Sequence, residues 1–444
     1  MSEIIIYDSK LKGRILTSSV TASKPLRKYF KSFKMFAKYD ADIYANKSIL
    51  NIPLLSAVLP LAWLTGANVC VDELDRRYVE AMYALKQEFK KMYPKAPFTT
   101  EIIADKLTEN EIGREGTAQL FSGGVDSTYT LITNMKLKPR LIMIWGVEGY
   151  PYPQYPEYWE IVKTTYTNFA KEHGLKINFI GTNIREILND RRIEHDFHKV
   201  IYEGTIWARL QHGILMTGLV APLSIRRFNL LLFAATQYPS YPYSKYPWAT
   251  QPCTDEKIAW ANLQIKHDGY IHLYNKIKGP IREFLKNNRL MLRVCLNHSA
   301  LKNVKLNCST CVKCLARIAG LVLAGIDPNY CGFEVDHSTF KLMKSIFEKR
   351  KAGSVRLLET RWKVLQSMIP ERIEGDLYGS KEFFEWFKNF NLDLARKDVW
   401  FYRDLYNRLP YPLACLLDVV YDILGINIHE HSPIRPNQKR VNDN

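Results

Sequence analysis

The sequence predicts an α/β protein built on a doubly wound, Rossmann-like parallel sheet, and three observations predict it. Between Thr117 and Ala234, short apolar runs alternate with helical stretches, the pattern of a parallel sheet covered by helices on both faces. Runs such as Leu141-Ile142-Met143-Ile144-Trp145 are apolar at every position, as strands buried on both sides are. A glycine turn from Ser122 to Ser127 separates the first such run from the first helix.

The elements follow in chain order. Glu3 to Tyr7 reads as a short strand, and Asp72 to Tyr93 spaces Leu74, Val79, Met82, Leu85 and Phe89 at helical intervals. Pro94 and Pro97 punctuate the end of that helix, and residues 1–115 form a mixed α/β N-terminal region. The core domain, residues 116–330, opens with the strand Thr117–Phe121 and the helix Ser127–Met135. Strand Leu141–Trp145, helix Glu157–His173, strand Ile177–Ile180, helix Glu203–Thr217 and strand Leu230–Ala234 continue it. Tyr238 to Pro252 packs four prolines and five aromatics into fifteen residues, which suits a structured loop beside a site. Residues 331–444 read as a helical extension, with a polar tail from Ser432 expected to be disordered.

Composition bounds the function. With 444 residues, 47% of them hydrophobic, the chain buries a substantial core, and about three domains are expected. Met1-Ser2-Glu3 opens with a carboxylate, unlike a secretory leader. Ile49 to Val69 is long and apolar enough to span a bilayer, but two prolines interrupt it; a buried helix broken at Pro60 is expected instead. No membrane partner is expected. The net charge of +17 implies an appetite for anions, yet no dense basic run marks a nucleic-acid groove.

Ser122-Gly123-Gly124-Val125-Asp126-Ser127 is the sharpest feature. Two glycines let the backbone approach a bulky anion, and the helix that follows aims open N–H groups and its positive dipole end at it. The two serines add donors, and Asp126 orients the loop or a Mg²⁺ ion. No Lys-Ser/Thr follows, so this is not a Walker loop. A loop that grips β- and γ-phosphates as one leaving unit favours attack at the α-phosphate of ATP. Trp145, ending the next strand, is a further ATP-binding candidate.

Four of the eight cysteines fall within twenty residues, at 295, 308, 311 and 314. Two overlapping Cys-x2-Cys knuckles with Cys295 give four soft ligands and no open position, the donor set of structural Zn²⁺. An iron–sulfur cluster and a sulfur-handling redox pair compete with this reading. Cys253 and Cys331 are expected to be plain buried thiols. Such clustering suits a reducing cytoplasm better than a secreted disulfide framework.

With both motifs in place, residues 117–330 resemble the 7-cyano-7-deazaguanine synthases and their relatives among the PP-loop ATP pyrophosphatases. Thr182-Asn183-Ile184-Arg185, Pro247-Trp248, Pro252-Cys253-Thr254-Asp255, His267-Asp268-Gly269, Lys276 and Arg293-Val294-Cys295 follow in the family's order. Asn307 through Arg317, around three of the cysteines, is the most family-like stretch after the loop. The resemblance implies adenylation of 7-carboxy-7-deazaguanine, then attack by an amine. It makes Lys276 the cation beside the α-phosphate, with Asp255 as a further catalytic candidate and Arg185 and Trp248 for the substrate. The loop lies far from the N-terminus, and over a hundred residues follow the cysteines, unlike the compact synthases. Relatives with such extensions look like antiphage-operon components that pass the activated base to a partner protein's amine. A housekeeping nitrile synthase, a tRNA-modifying PP-loop enzyme and a catalytically silent scaffold are the rivals. Glu194-His195-Asp196-Phe197-His198 superficially suggests a metal phosphohydrolase, but its histidines read as surface residues.

Overall fold

Parallel strands need crossovers, and the chain supplies them as helices between its apolar runs. A computed structural model describes residues 2–148, 150–201, 205–295, 298–349, 358–395 and 405–423. One eleven-stranded sheet runs through it, ordered β10-β11-β9-β6-β7-β8-β3-β2-β1-β4-β5. In chain order the strands are β1 Glu3–Lys12, β2 Ile15–Ala22, β3 Lys34–Tyr39, β4 Asn68–Asp75, β5 Ile102–Thr108 and β6 Thr117–Leu120. They continue as β7 Arg140–Trp145, β8 Ile177–Thr182, β9 Leu230–Ala234, β10 Ala259–Trp260 and β11 Leu263–Asp268.

Strands β11, β9, β6, β7 and β8 are mutually parallel. The chain steps outward from β6 to β7 and β8, then returns to place β9 on the other side of β6. That reversal makes the carboxyl ends of β6, β7 and β9 a switch point, the place where open α/β sheets form a ligand crevice.

The N-terminal region adds strands to this same sheet. β3 pairs antiparallel with β8, Ala37 opposite Thr182 and Tyr39 opposite Ile180. Ile4, Ile6, Leu16 and Val69 therefore share one apolar core with Leu231 and Ile265. The sheet is accordingly mixed, with the parallel core flanked by antiparallel pairs.

Two expectations need correction. The apolar segment forms a helix, Ile52–Thr65, that runs through Pro60 without breaking. Its residues are buried all round, and that packing outweighs a proline cost of roughly 3 kcal/mol. It lies against the helix His212–Ser224, where Ser56 takes the space a side chain at Gly218 would fill. The second correction concerns Asp72 to Tyr93, whose first residues belong to β4. Asp75 ends the strand and caps the helix Arg76–Met92, accepting from the Tyr78 N–H at 2.8 Å.

Of the helix expected over Glu203–Thr217, residues 203 and 204 lie outside the described ones; helical structure begins at Ile206, includes a π-turn at Trp207–Gln211 and continues to Ser224. Beyond residue 330 the chain is helical, with His337–Glu348, Ser380–Asn389 and Tyr411–Ile423 as its longer elements. Phe347, Trp362 and Phe387 from this region join Val125, Tyr166 and Leu315 in a second core under the glycine turn. The tail from Ser432 lies outside the described residues. Among those residues, no helix is long and apolar enough to cross a membrane.

Candidate active site

β6 delivers Ser122 to the crevice, and the chain turns at Gly123 with φ +77°. A side chain there would collide with the Tyr166 hydroxyl, so both the backbone sign and the space demand glycine. Gly124 begins the helix Val125–Thr133, which no side chain caps. The loop's carbonyls are turned back into the protein: the Arg293 N–H donates to Gly123 O at 2.8 Å and Arg293 Nη1 to Ser122 O at 3.1 Å. Ser127 Oγ accepts from the Ser122 N–H at 3.3 Å and donates to Gly124 O at 3.1 Å. Acceptors thus face inward while the first-turn N–H groups stay open, the polarity of an anion cradle.

Lys276 reaches this loop from the far side of β9. It is 1% exposed, and its Nζ donates to Asp126 Oδ1 at 2.6 Å and to Ala235 O at 2.5 Å. His272 caps the short helix that carries Lys276, accepting from the Tyr274 N–H at 3.3 Å. Burial pushes the His272 imidazole down to about 4, with the Lys276 charge acting in the same direction.

The other predicted residues sit differently. Asp255 is fully buried, its Oδ2 2.6 Å from His267 Nδ1, and burial raises its pKa. No hydrogen bond or ion pair joins it to the loop among the described residues. Arg185 is clamped internally: Nη1 donates to Gln211 Oε1 at 2.8 Å, Nη2 pairs with Asp190 at 2.6 Å, and the guanidinium covers the Trp207 ring. Trp145 is buried between Tyr152 and Trp159, at ring separations of 4.6 and 5.2 Å. Trp248 is half-buried in the aromatic loop, its carbonyl accepting from Gln251 Nε2 at 3.1 Å.

The four cysteines come together. Their Sγ atoms all lie within 4.8 Å of one another, with Cys295–Cys311 and Cys308–Cys314 both at 3.9 Å. A tetrahedron with Zn–S of about 2.3 Å has S···S edges of about 3.8 Å, so the spacing fits such a metal ion. The N–H groups of Cys311 and Cys314 point at the sulfurs of Cys308 and Cys311, at 3.3 and 3.4 Å. Asn307 braces the cluster, its Oδ1 accepting from Val294 and Cys295 and its Nδ2 donating to Leu292 and Gly332. The ion would be held by Cys295, Cys308, Cys311 and Cys314. Cys331 is buried as expected, but Cys253, the second residue of the short helix Pro252–Asp255, is exposed.

No protein-family model, no curated protein and no solved structure matches this chain.

Arg293 stands in one of the quoted motifs, but its contacts with the glycine loop depend on a chain crossing that the sequence does not display. Besides holding two loop carbonyls, its Nε and Nη2 donate to the Tyr158 and Tyr150 hydroxyls at 3.0 and 3.2 Å. Glu148, just past β7, meets His212 Nε2 at 3.2 Å. Enclosure opposes ionisation of Glu148, but the His212 hydrogen bond and the charges of Lys313 and Arg293 outweigh it and bring the carboxyl to about 2. Its side chain keeps 38% exposure, so solvent moderates that effect. His195 and His198, expected at the surface, are half-buried and engaged with Asp196, Leu409 O and the His195 carbonyl. Neither joins a metal-binding group among the described residues. The open depression lined by Cys308, Thr310, Glu334 and Asp336 includes no residue of the glycine loop.

Proposed function

We propose that this chain is a PP-loop ATP pyrophosphatase that adenylates a carboxylate and hands the acyl group to an amine. The observation that carries the reading is the loop at Ser122, whose helix N-terminus is open to an anion while Lys276 and Asp126 meet beside it. The open N–H groups of the first turn bind the leaving phosphates and hold them in line. Lys276, fixed by Ala235 O, supplies a positive charge where negative charge grows on the oxygens of the α-phosphate. A carboxylate oxygen of the substrate attacks that phosphorus, the bond to the bridging oxygen breaks, and pyrophosphate leaves. The amine then attacks the acyl carbon, its proton passes to solvent, and AMP departs. Asp126 is the carboxylate that would hold Mg²⁺, whose charge would screen the phosphates. Zn²⁺ at the four cysteines would be structural, because four thiolates leave it no open position.

The sequence resemblance supports 7-carboxy-7-deazaguanine as the carboxylate and an antiphage setting for the reaction. The 130 residues that follow Cys314 support a macromolecular amine over ammonia as acceptor. The test is carboxylate-dependent exchange of labelled pyrophosphate into ATP. Exchange with 7-carboxy-7-deazaguanine, lowered by about 10²–10³ in Asp126→Ala, is expected. A chain that catalyses no exchange with this carboxylate, or an Asp126→Ala variant that exchanges normally, contradicts the proposal.

A further inference from the structure

One short strap of chain, Met291 to Cys295, touches both the glycine loop and the cysteine cluster, and its polar groups divide between the two. Towards the loop, the Arg293 N–H donates to Gly123 O at 2.8 Å and Arg293 Nη1 donates to Ser122 O at 3.1 Å. The Tyr166 hydroxyl donates to Met291 O at 3.1 Å, and that hydroxyl fills the space a side chain at Gly123 would need. Towards the cysteines, the N–H groups of Val294 and Cys295 donate to Asn307 Oδ1 at 2.9 and 3.2 Å. Asn307 Nδ2 donates to Leu292 O at 2.7 Å. The strap ends in Cys295, whose Sγ stands 3.9 Å from that of Cys311.

Arg293 works as a bracket in this arrangement. Besides the two loop carbonyls, its guanidinium donates to the hydroxyls of Tyr158 and Tyr150, both buried by their own packing. Carbonyls pinned in this way fix where Gly123 and Gly124 lie, and so where the open N–H groups of the first turn point. Cys295 is the cluster ligand that comes from outside the 308–314 knuckle, twelve residues of chain away from it. An ion bound by all four thiolates would lock the strap to that knuckle. Without one, four sulfurs within 4.8 Å of one another must carry protons or move apart, because neighbouring thiolates repel. The strap is then left to its hydrogen bonds with Asn307 and with the Cys331 carbonyl, which accepts from the Leu292 N–H at 2.9 Å.

We propose that Arg293 is a positioning residue through which the cysteine centre sets the shape of the glycine loop, so that metal occupancy there governs how tightly the loop holds an anion. The linkage runs both ways: an ion at the cysteines tightens the loop for nucleotide, and nucleotide at the loop tightens the hold on the ion. The nucleotide half rests on the adenylation reading, whereas the mechanical half does not.

Hydrogen exchange of the full chain, read by mass spectrometry below the melting transition, tests the mechanical half with no nucleotide present. Stripping Zn²⁺ with a chelator speeds exchange over residues 122–128 by about tenfold or more and leaves the β1–β2 hairpin unchanged. Cys295→Ala detaches the strap while three thiolates still hold Zn²⁺, and it speeds loop exchange to a similar degree. In Arg293→Met the loop exchanges fast whether or not Zn²⁺ is bound. A wild-type loop indifferent to Zn²⁺ overturns the proposal, and so does an Arg293→Met loop that still slows when Zn²⁺ is added. Should stripping unfold the whole chain, so that the hairpin speeds up too, the Zn²⁺-loaded Cys295→Ala variant decides. Fast exchange confined to its loop supports the link, and wild-type exchange overturns it. Competition for Zn²⁺ with a chromophoric chelator tests the nucleotide half: Mg·ATP raises the wild-type affinity for Zn²⁺ by about fivefold or more and leaves Arg293→Met unmoved. ATP that binds without changing the Zn²⁺ affinity overturns that half. A wild type that binds no ATP, with a loop that answers to Zn²⁺, overturns the adenylation reading and leaves the mechanical link standing.

Discussion

At the residue scale, the decisive groups are small in number and strongly constrained. Lys276 is buried against Asp126 and a backbone carbonyl, so its charge stays where the loop needs it. Lys276→Met is expected to lower adenylation by about 10²–10³ while the protein remains folded, checked by exchange rates beside a melting curve. Gly123→Ala is expected to lose roughly 2 kcal/mol or more, since a positive φ and the Tyr166 hydroxyl both oppose a methyl group; urea unfolding measures it. His272 makes stability depend on pH. Its pKa is about 4 in the fold against an ordinary 6.5, so the unfolded chain binds more protons between those values. Stability therefore falls as pH drops from about 6.5 towards 4, and His272→Asn, which keeps an acceptor for the cap, flattens that slope in urea midpoints measured across the range.

At the element scale, the parallel core was readable and the flanks less so. β6, β7, β8 and β9 announce themselves as short apolar runs because both of their faces are covered, a purely local consequence of burial. The turn at Gly123 and the helix after it were legible too, because both are set by consecutive residues. Of the N-terminal strands β1 was read, from Glu3 to Tyr7, and it runs on to Lys12; β3 and β5, which pair with strands distant in sequence, were not. Asp72 to Asp75 read as helix because Leu74 falls by coincidence in step with the helix after it. Arg293 stood in a recognised motif, but its hold on the loop carbonyls appears only when that distant segment packs against the glycine turn. The cysteine cluster yields its own prediction. Chelating a metal held at the four cysteines, or Cys308→Ser, is expected to lower the melting temperature by several degrees, since such an ion would tie Cys295 to the start of the helix Val312–Leu323. An unchanged melting temperature on metal removal would show that the thiolates do not hold the fold.

At the scale of the whole molecule, the regions beyond the parallel core are parts of one framework. β3 continues the sheet from β8, and the segment past residue 330 fills the second core with Phe347, Trp362 and Phe387. A chain ended at residue 330 would uncover the apolar floor beneath the glycine turn. It is expected to lose its near-ultraviolet circular dichroism and to aggregate, whereas a separable appendage would leave a folded core. This shared core also explains how the turn Leu358–Trp362, remote in sequence, lies against Tyr238 and Lys245 of the aromatic loop.

The most direct test of the account follows one oxygen atom. The chain is incubated with ATP, an amine and 7-carboxy-7-deazaguanine labelled with ¹⁸O in its carboxylate, and the products are weighed by mass spectrometry. Attack at the α-phosphorus places one heavy oxygen in AMP, alongside unlabelled pyrophosphate. Heavy oxygen in orthophosphate with ADP as the second product, or AMP that carries none, contradicts it.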